Sequence, residues 1–299
     1  MSMAIIVHGG AGSIQEARIP AARLGAEQAA KAGWNILVNG GTAVDAAVAA
    51  AVALEDNAQF NAGYGAVLTE DGKAELDAGL MDGETLNVGA VAGVRRVKNP
   101  ILAAKAMLAV PQTLIIGSGA EDFAQQRGLT MCEPEAMIEP CVYRRWQELK
   151  QKNSEPTRIT DPDEKHGTIG AVAVDASNHI ASAASTGGVM MKVPGRVGDT
   201  PLAGAGFYAE DGSGAAACTG QGEYFIRLVI ARRAVEFMSH GYTAQEAADA
   251  CVKLLTERLG GDGGLITVDA AGTVGFARNT QSMIYAYCLT SQTDPVSGW

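Results

Sequence analysis

Positive charge is scarce in this sequence: 23 Lys and Arg stand against 33 Asp and Glu, for a formal net charge of −10. That balance disfavours nucleic acid and anionic membranes as partners, because both are held by grouped cations. No apolar stretch approaches the roughly 20 charge-free residues of a spanning helix. Nor do the opening residues show a basic region followed by an apolar signal-type core. The expectation is a cytoplasmic protein with a small, cationic or zwitterionic ligand. Cysteine is sparse as well. Cys132, Cys141, Cys218, Cys251 and Cys288 are odd in number, widely spaced and without a C-x-x-C pair, which argues against a disulfide framework or a structural zinc site. Histidine is limited to His8, His166, His179 and His240, with no triad or metal spacing. His8-Gly9-Gly10 has the look of an esterase oxyanion loop, but no G-x-S-x-G elbow accompanies it, and no phosphate-loop pattern follows. His8 is therefore read as structural.

Small and apolar residues dominate instead. The chain is 47% hydrophobic and holds 37 glycines in 299 residues, enough core for one large or two ordinary domains. Ala4 to Val7 reads as a buried strand delivering the loop His8-Gly9-Gly10-Ala11-Gly12. Pro20 to Leu37 has helical periodicity and stops at Asn39-Gly40-Gly41. A second helix, Ala43 to Leu54, starts at Thr42, where Thr42-x-x-Asp45 resembles a capping box with a shorter acid. Being almost all Ala and Val, it reads as buried on every side. The polar, glycine-rich segment to Gly65 carries Phe60 and Tyr64, and could turn carbonyl oxygens toward a hard monovalent cation. Short strands are expected at Ala66 to Thr69, Ala74 to Ala78 and Leu86 to Val94. Beyond them come a helix over Pro100 to Val110, a strand over Thr113 to Ile116 and a helix over Ala120 to Arg127.

Gln147 to Gly167 is strongly charged, contains Pro156 and Pro162, and reads as an exposed, mobile linker. It ends abruptly at Gly167-Thr168, where an apolar run begins. Thr168 to Val174 and His179 to Ala184 form a hairpin across Asp175-Ala176-Ser177-Asn178. Strands over Ala203 to Ala209 and Ala215 to Cys218 lead into a long amphipathic helix through Phe237. Thr243-x-x-Glu246 caps a further helix to about Leu259, and strands follow at Leu265 to Val268, Thr273 to Ala277 and Met283 to Leu289. Strands at both ends of each half, with paired helices between, suit an α+β fold: a four-layer αββα sandwich spanning 1–299 as one domain. The competitor, an open doubly wound sheet, needs a regular β-α-β alternation that the hairpin and the late meander break.

Three threonines stand beside glycine: Thr168 after Gly167, Thr186 before Gly187-Gly188, and Thr219 before Gly220. Arg196 and Asp199 lie between the last two. Thr168 can be a β-branched residue opening a strand, or a nucleophile exposed by cleavage of the Gly167–Thr168 bond. A terminal threonine carries its own base, an α-amine with an ordinary pKa of about 7.7–8.0, so no histidine is required.

Six segments in order carry a resemblance: His8 to Gly12, Phe60-Asn61-Ala62-Gly63-Tyr64-Gly65, Gly167 to Ala173, Ser185-Thr186-Gly187-Gly188, Gly195-Arg196-Val197-Gly198-Asp199 and Thr219-Gly220-Gln221-Gly222-Glu223. Over nearly its whole length the chain resembles the plant-type asparaginases, or isoaspartyl (β-aspartyl) peptidases, of the N-terminal-nucleophile (Ntn) hydrolase superfamily. The resemblance implies self-cleavage at Gly167–Thr168 into subunits 1–167 and 168–299. It also implies hydrolysis of the β-amide of L-asparagine and β-aspartyl dipeptides through a β-aspartyl enzyme. Thr168 would be nucleophile, Thr186 its hydroxyl neighbour, and Thr219 with Gly220 the oxyanion hole. Arg196 would pair with the substrate α-carboxylate, Asp199 and Gly222 with its α-ammonium. Main-chain oxygens of Leu54, Glu55, Asn57, Phe60, Ala62 and Tyr64 would hold a structural sodium ion, no cofactor being needed for catalysis. The family's assembly implies a dimer of cleaved heterodimers. The alternatives are glycosylasparaginase, which typically has an acidic residue where this chain has Gly167, and a non-catalytic binder of small zwitterions.

Overall fold

The computed structural model describes residues 2–152, 167–292 and 294–299. Its strands are β1 (Ala4–Gly12), β2 (Leu76–Asp82), β3 (Val88–Val94), β4 (Leu114–Ile116), β5 (Ile169–Val174), β6 (Ile180–Thr186), β7 (Phe207–Glu210), β8 (Gly214–Gly220), β9 (Gly263–Asp269), β10 (Val274–Arg278), β11 (Ser282–Leu289) and β12 (Val296–Gly298). The helices are α1 (Ile19–Val38), α2 (Ala43–Glu55), α3 (Pro100–Met107), α4 (Gly117–Gln126), α5 (Pro140–Gln151), α6 (Gly222–Leu228), α7 (Ile230–Ser239) and α8 (Ala244–Leu259).

Among the described residues twelve strands form two sheets, one of eight in the order β12-β11-β1-β5-β6-β2-β3-β4 and one of four in the order β10-β9-β8-β7. Their faces meet where β1, β5 and β6 cross β8 and β9. Both faces of the central strands are covered, which is why they read as unbroken apolar runs and not as alternating ones. In β1, Ile5 and Val7 face the helical layer of α1 and α2, whereas Ala4 and Ile6 enter the layer between the sheets. In β5, Ile169, Ala171 and Ala173 take the first side and Val172 and Val174 the second. Helices α7 and α8 close the far face of the small sheet. The four-layer αββα order expected from the sequence is thereby observed. Small side chains bring the layers close: a Cβ on Gly33 of α1 would lie 2.6 Å from the Ala46 carbonyl of α2.

Local signals held unevenly. Asp175 closes the β5–β6 hairpin, its Oδ1 accepting from the Ser177 and His179 amides, and Thr243 and Glu246 form the reciprocal capping box. Thr42 accepts from the Asp45 amide at 3.1 Å, but the Asp45 carboxylate pairs with Lys105 at 2.6 Å, so the box is half made. Residues 147–151, expected to be linker, complete α5. Its two buried apolar residues, Val142 and Leu149, are too few to show as a period; Trp146 adds a bond from its indole N–H to the Thr69 carbonyl at 2.9 Å. The rest of that expected linker, 153–166, lies outside the described residues. The helix expected through Phe237 breaks at Val229, which takes φ 51° and ψ 51°. Ala66 to Thr69 makes only isolated bridges, β3 starts at Val88 because Leu86 turns the chain with φ 59°, and β7 starts only at Phe207.

Candidate active site

Strands β5 and β6 are antiparallel neighbours with Ile169 opposite Ser185. That register puts Thr168, just before β5, beside Thr186, the last residue of β6. The Thr168 hydroxyl donates to Thr186 Oγ1 at 3.1 Å. Thr186 Oγ1 also accepts from the Gly188 N–H at 3.0 Å, so the turn after β6 locks its rotamer. Thr186 is buried and Thr168 half-buried, leaving the nucleophile candidate the reachable one of the two.

Thr219 and Gly220 arrive from the other sheet, at the end of β8. Thr219 is buried, and its Oγ1 accepts from the Ala11 N–H at 3.2 Å, which leaves the hydroxyl proton available to a further acceptor. Gly220 has φ +147°; a Cβ there would lie 2.5 Å from the Asp262 carbonyl, so glycine is required.

The charge pair is built differently on its two sides. Arg196 directs Nε and Nη2 at both oxygens of Glu223, each at 3.0 Å, the fork geometry that suits a carboxylate. Asp199 is buried, and its Oδ2 has no hydrogen-bond partner among the described residues. Burial pushes its carboxyl up to about 7, against the pull of Arg196. Gly222 lies against it, and a Cβ on that glycine would come within 2.8 Å of Asp199 Oδ1. A buried carboxylate with an open oxygen lacks a cation, which an ammonium group would supply.

His8 is fully buried, accepts from the Gly10 N–H at 3.3 Å through Nδ1, and is lowered to about 3 by burial. Burial acts there against a hydrogen bond between the imidazole and the Thr168 backbone, so this enclosed, neutral ring packs directly beside the nucleophile candidate. Asn61 is the residue that motif reading left without a role. Its N–H donates to the Gly167 carbonyl at 3.2 Å and its own carbonyl accepts from the Gly187 N–H at 3.0 Å. Its side chain donates to the Gly188 carbonyl at 2.7 Å and accepts from the Val67 N–H at 2.9 Å. Asn61 thus joins the residue before Thr168 to the turn after Thr186. Its position inside a glycine-rich, aromatic-anchored segment was the only signal of this.

In that segment, carbonyls fold back on glycines. A Cβ on Gly63, whose φ is +53°, would lie 2.4 Å from the Glu55 carbonyl oxygen, and one on Gly65 would lie 2.1 Å from that of Phe60. Asn57 and Ala62 each accept a backbone hydrogen bond, from Phe60 and Gly65, and the Leu54 carbonyl accepts from the Asp56 and Asn57 N–H groups. No cluster of three or more His, Cys, Asp or Glu able to hold a metal occurs among the described residues. A cation here would therefore sit in a cradle of carbonyl oxygens, which suits a hard, weakly charged ion. The Glu55 side chain, raised to about 8 by burial, accepts from Ser185 Oγ at 2.7 Å and the Ile101 N–H at 3.0 Å, linking this loop to the residue beside Thr186.

A profile of the asparaginase family matches residues 1–297. The chain is 46% identical over 311 aligned positions to the plant-type L-asparaginase of Pyrococcus horikoshii, covering 99% of each. It is 45% identical over 309 positions to that of Thermococcus kodakarensis, again covering 99% of each. To the isoaspartyl peptidase of Escherichia coli it is 41% identical over 310 positions, covering 98% of this chain and 95% of the relative. By both profile and full-length relatives, the chain belongs to the asparaginase family.

Proposed function

We propose that this enzyme cleaves itself at Gly167–Thr168 and then hydrolyses the β-amide bond of L-asparagine and of β-aspartyl dipeptides. The observation that carries the reading is the Thr168–Thr186 hydroxyl pair. The base in this reading is the α-amine that cleavage creates on Thr168 itself. In the first event Thr168 Oγ attacks the Gly167 carbonyl, whose oxygen accepts from the Asn61 N–H. The peptide C–N bond breaks, the amine takes a proton, and water hydrolyses the ester to leave Gly167 as a carboxylate and Thr168 with a free amine.

In the mature enzyme that amine, whose ordinary pKa is about 7.7–8.0, takes the hydroxyl proton as Oγ attacks the β-carbonyl. The Thr219 hydroxyl and Gly220 N–H receive the oxyanion, each worth about 3 kcal/mol of barrier. The protonated amine passes its proton to the leaving nitrogen, and ammonia or an amino acid departs. Water activated by the same amine then releases L-aspartate. Arg196 exchanges Glu223 for the substrate α-carboxylate, and Asp199 with the Gly222 carbonyl takes the α-ammonium. The zwitterionic end thereby fixes which carbonyl meets Thr168.

The carbonyl cradle of Leu54, Glu55, Asn57, Phe60, Ala62 and Tyr64 would hold sodium in a structural role, neutralising crowded carbonyl dipoles. The mature form is a dimer of cleaved heterodimers, for which light scattering on the purified enzyme is the check. No helix among the described residues is long and apolar enough to cross a membrane and all five cysteines are free, which supports a cytoplasmic site of action. A denaturing gel with intact mass tests the core of the proposal. Wild type resolves into two chains split at Gly167–Thr168, whereas Thr168→Ala stays whole and hydrolyses neither L-asparagine nor β-Asp-Leu. A wild type that never splits, yet is active, would overturn it.

A further inference from the structure

Glu75 and Lys192 take part in no step above, yet both carry charge and each is only 4% exposed. Glu75 immediately precedes β2, and Lys192 lies in the loop that runs from Thr186 to Asp199. Lys192 Nζ donates to the Glu75 main-chain carbonyl at 3.0 Å. Its stem passes under Gly188, where a Cβ would sit 2.8 Å from both Cδ and Nζ. The Glu75 carboxylate is divided: Oε2 accepts from the Gly195 N–H at 2.8 Å and Oε1 pairs with Arg95. Backbone bonds stitch the same loop down, from the Met191 N–H to the Leu68 carbonyl at 2.7 Å and from the Glu70 N–H to the Lys192 carbonyl at 2.9 Å.

Met191 in this loop holds φ +62°, a left-handed conformation that costs about 1–2 kcal/mol for a residue with a side chain. Such strain persists where the surroundings over-determine the backbone. Asp77, opposite Thr186 in the sheet and fully buried, attracts Lys192 and is stabilised by it in turn. The result is a buried ionic group, anchored at the start of β2, that grips the loop twice. One grip is at Gly188, two residues past Thr186. The other is at Gly195, directly before Arg196.

We propose that Glu75 and Lys192 are positioning residues that set the span between the Thr168–Thr186 hydroxyl pair and the Arg196 fork, and so select a substrate whose amide stands one methylene from its α-carbon. The inference rests on the reading of Arg196 as the α-carboxylate site. A misplacement of about 1 Å, even from a change far from the reacting atoms, can cost on the order of 100-fold in rate, so a loop that drifts loses length discrimination before it loses its fold.

The test is steady-state kinetics on L-asparagine with competitive inhibition by L-aspartate and by L-glutamate. Glu75→Ala lowers kcat/KM about tenfold or more, raising KM and lowering kcat together, and narrows the preference for L-aspartate over L-glutamate by a similar factor. Glu75→Gln keeps an acceptor for the Gly195 N–H and stays near wild type, a rescue that general loosening of the fold would not produce. Arg95→Ala, whose side chain is one-third exposed, shifts KM in the same direction by about threefold and decides the matter should Glu75→Ala not fold. Arg196→Ala is the control. If it raises KM while Glu75→Ala and Arg95→Ala leave KM and the inhibitor preference unchanged, the clamp is overturned and the Arg196 site stands. If Arg196→Ala itself leaves KM unchanged, the Arg196 site falls and the clamp's purpose with it.

Discussion

Replacing Asp199 by Asn separates what this carboxylate does for binding from what it does to stability. Burial raises its pKa from an ordinary 3.8 to about 7, so between those values the folded chain holds a proton that the unfolded chain gives up. The carboxyl therefore favours the fold fully below about pH 4, and that contribution is lost as pH climbs through about 7. Asn mimics the protonated form at every pH. Its advantage over wild type is close to nothing near pH 4 and grows to a ceiling of about 4 kcal/mol above pH 7, taking 1.36 kcal/mol per unit of pKa. For a chain of this size that corresponds to a rise in Tm on the order of 5 °C. The assay is thermal unfolding of the unliganded enzyme at half-unit steps from pH 4.5 to 8.5, for wild type and Asp199→Asn. The Tm gap should widen up to about pH 7 and level off above it. Adding L-aspartate should narrow it at high pH, because the ligand ammonium supplies the cation that the wild-type carboxylate lacks. The variant should show no ligand shift and no activity. A gap that is flat across this range would refute the assignment of Asp199 as a strained, open carboxylate.

Glu223→Gln removes the anion that occupies Arg196 in the unliganded enzyme. Because Glu223 is half exposed the pair is worth at most about 1 kcal/mol, so KM for L-asparagine should fall up to about fivefold with kcat unchanged; a rise in KM would contradict the competition. Val229 is β-branched at φ 51° and 44% exposed. Val229→Asn should relieve strain and raise stability by about 1 kcal/mol, read as a higher Tm with unaltered kinetics. Exchanging sodium for choline should lower Tm while leaving kcat unchanged at 25 °C; equal Tm values in both salts would remove the cation from the Leu54 to Tyr64 cradle.

The parts of the site that lie close in sequence were legible because local chemistry specifies them. Asp175 makes the hairpin turn, the turn sets the β5–β6 register, and the register alone brings Thr168 to Thr186. The abrupt change of composition at Gly167 marks the same point. α5 escaped notice for the opposite reason. It buries only Val142 and Leu149 among charged residues, so its periodicity drowned in polarity. The break at Val229 has no glycine or proline to announce it; on its two sides α6 packs on α8 and β8, and α7 on β8 and α8.

Composition, turn residues and apolar runs determined that two sheets would be covered by helices, and the Gly-Thr join with its neighbouring motifs determined where the candidate site would be. These are properties of short segments, and short segments can be read one at a time. Only the tertiary structure decided that Thr219 would meet β1 at Ala11, 208 residues away in sequence, that Arg196 would rest on Glu223, and that Glu75 and Lys192 would be buried against the loop that leads to Arg196. Those contacts depend on which strands are neighbours and on how the two sheets cross. Strand order and sheet packing are settled by the burial of the whole chain, and no local pattern records them.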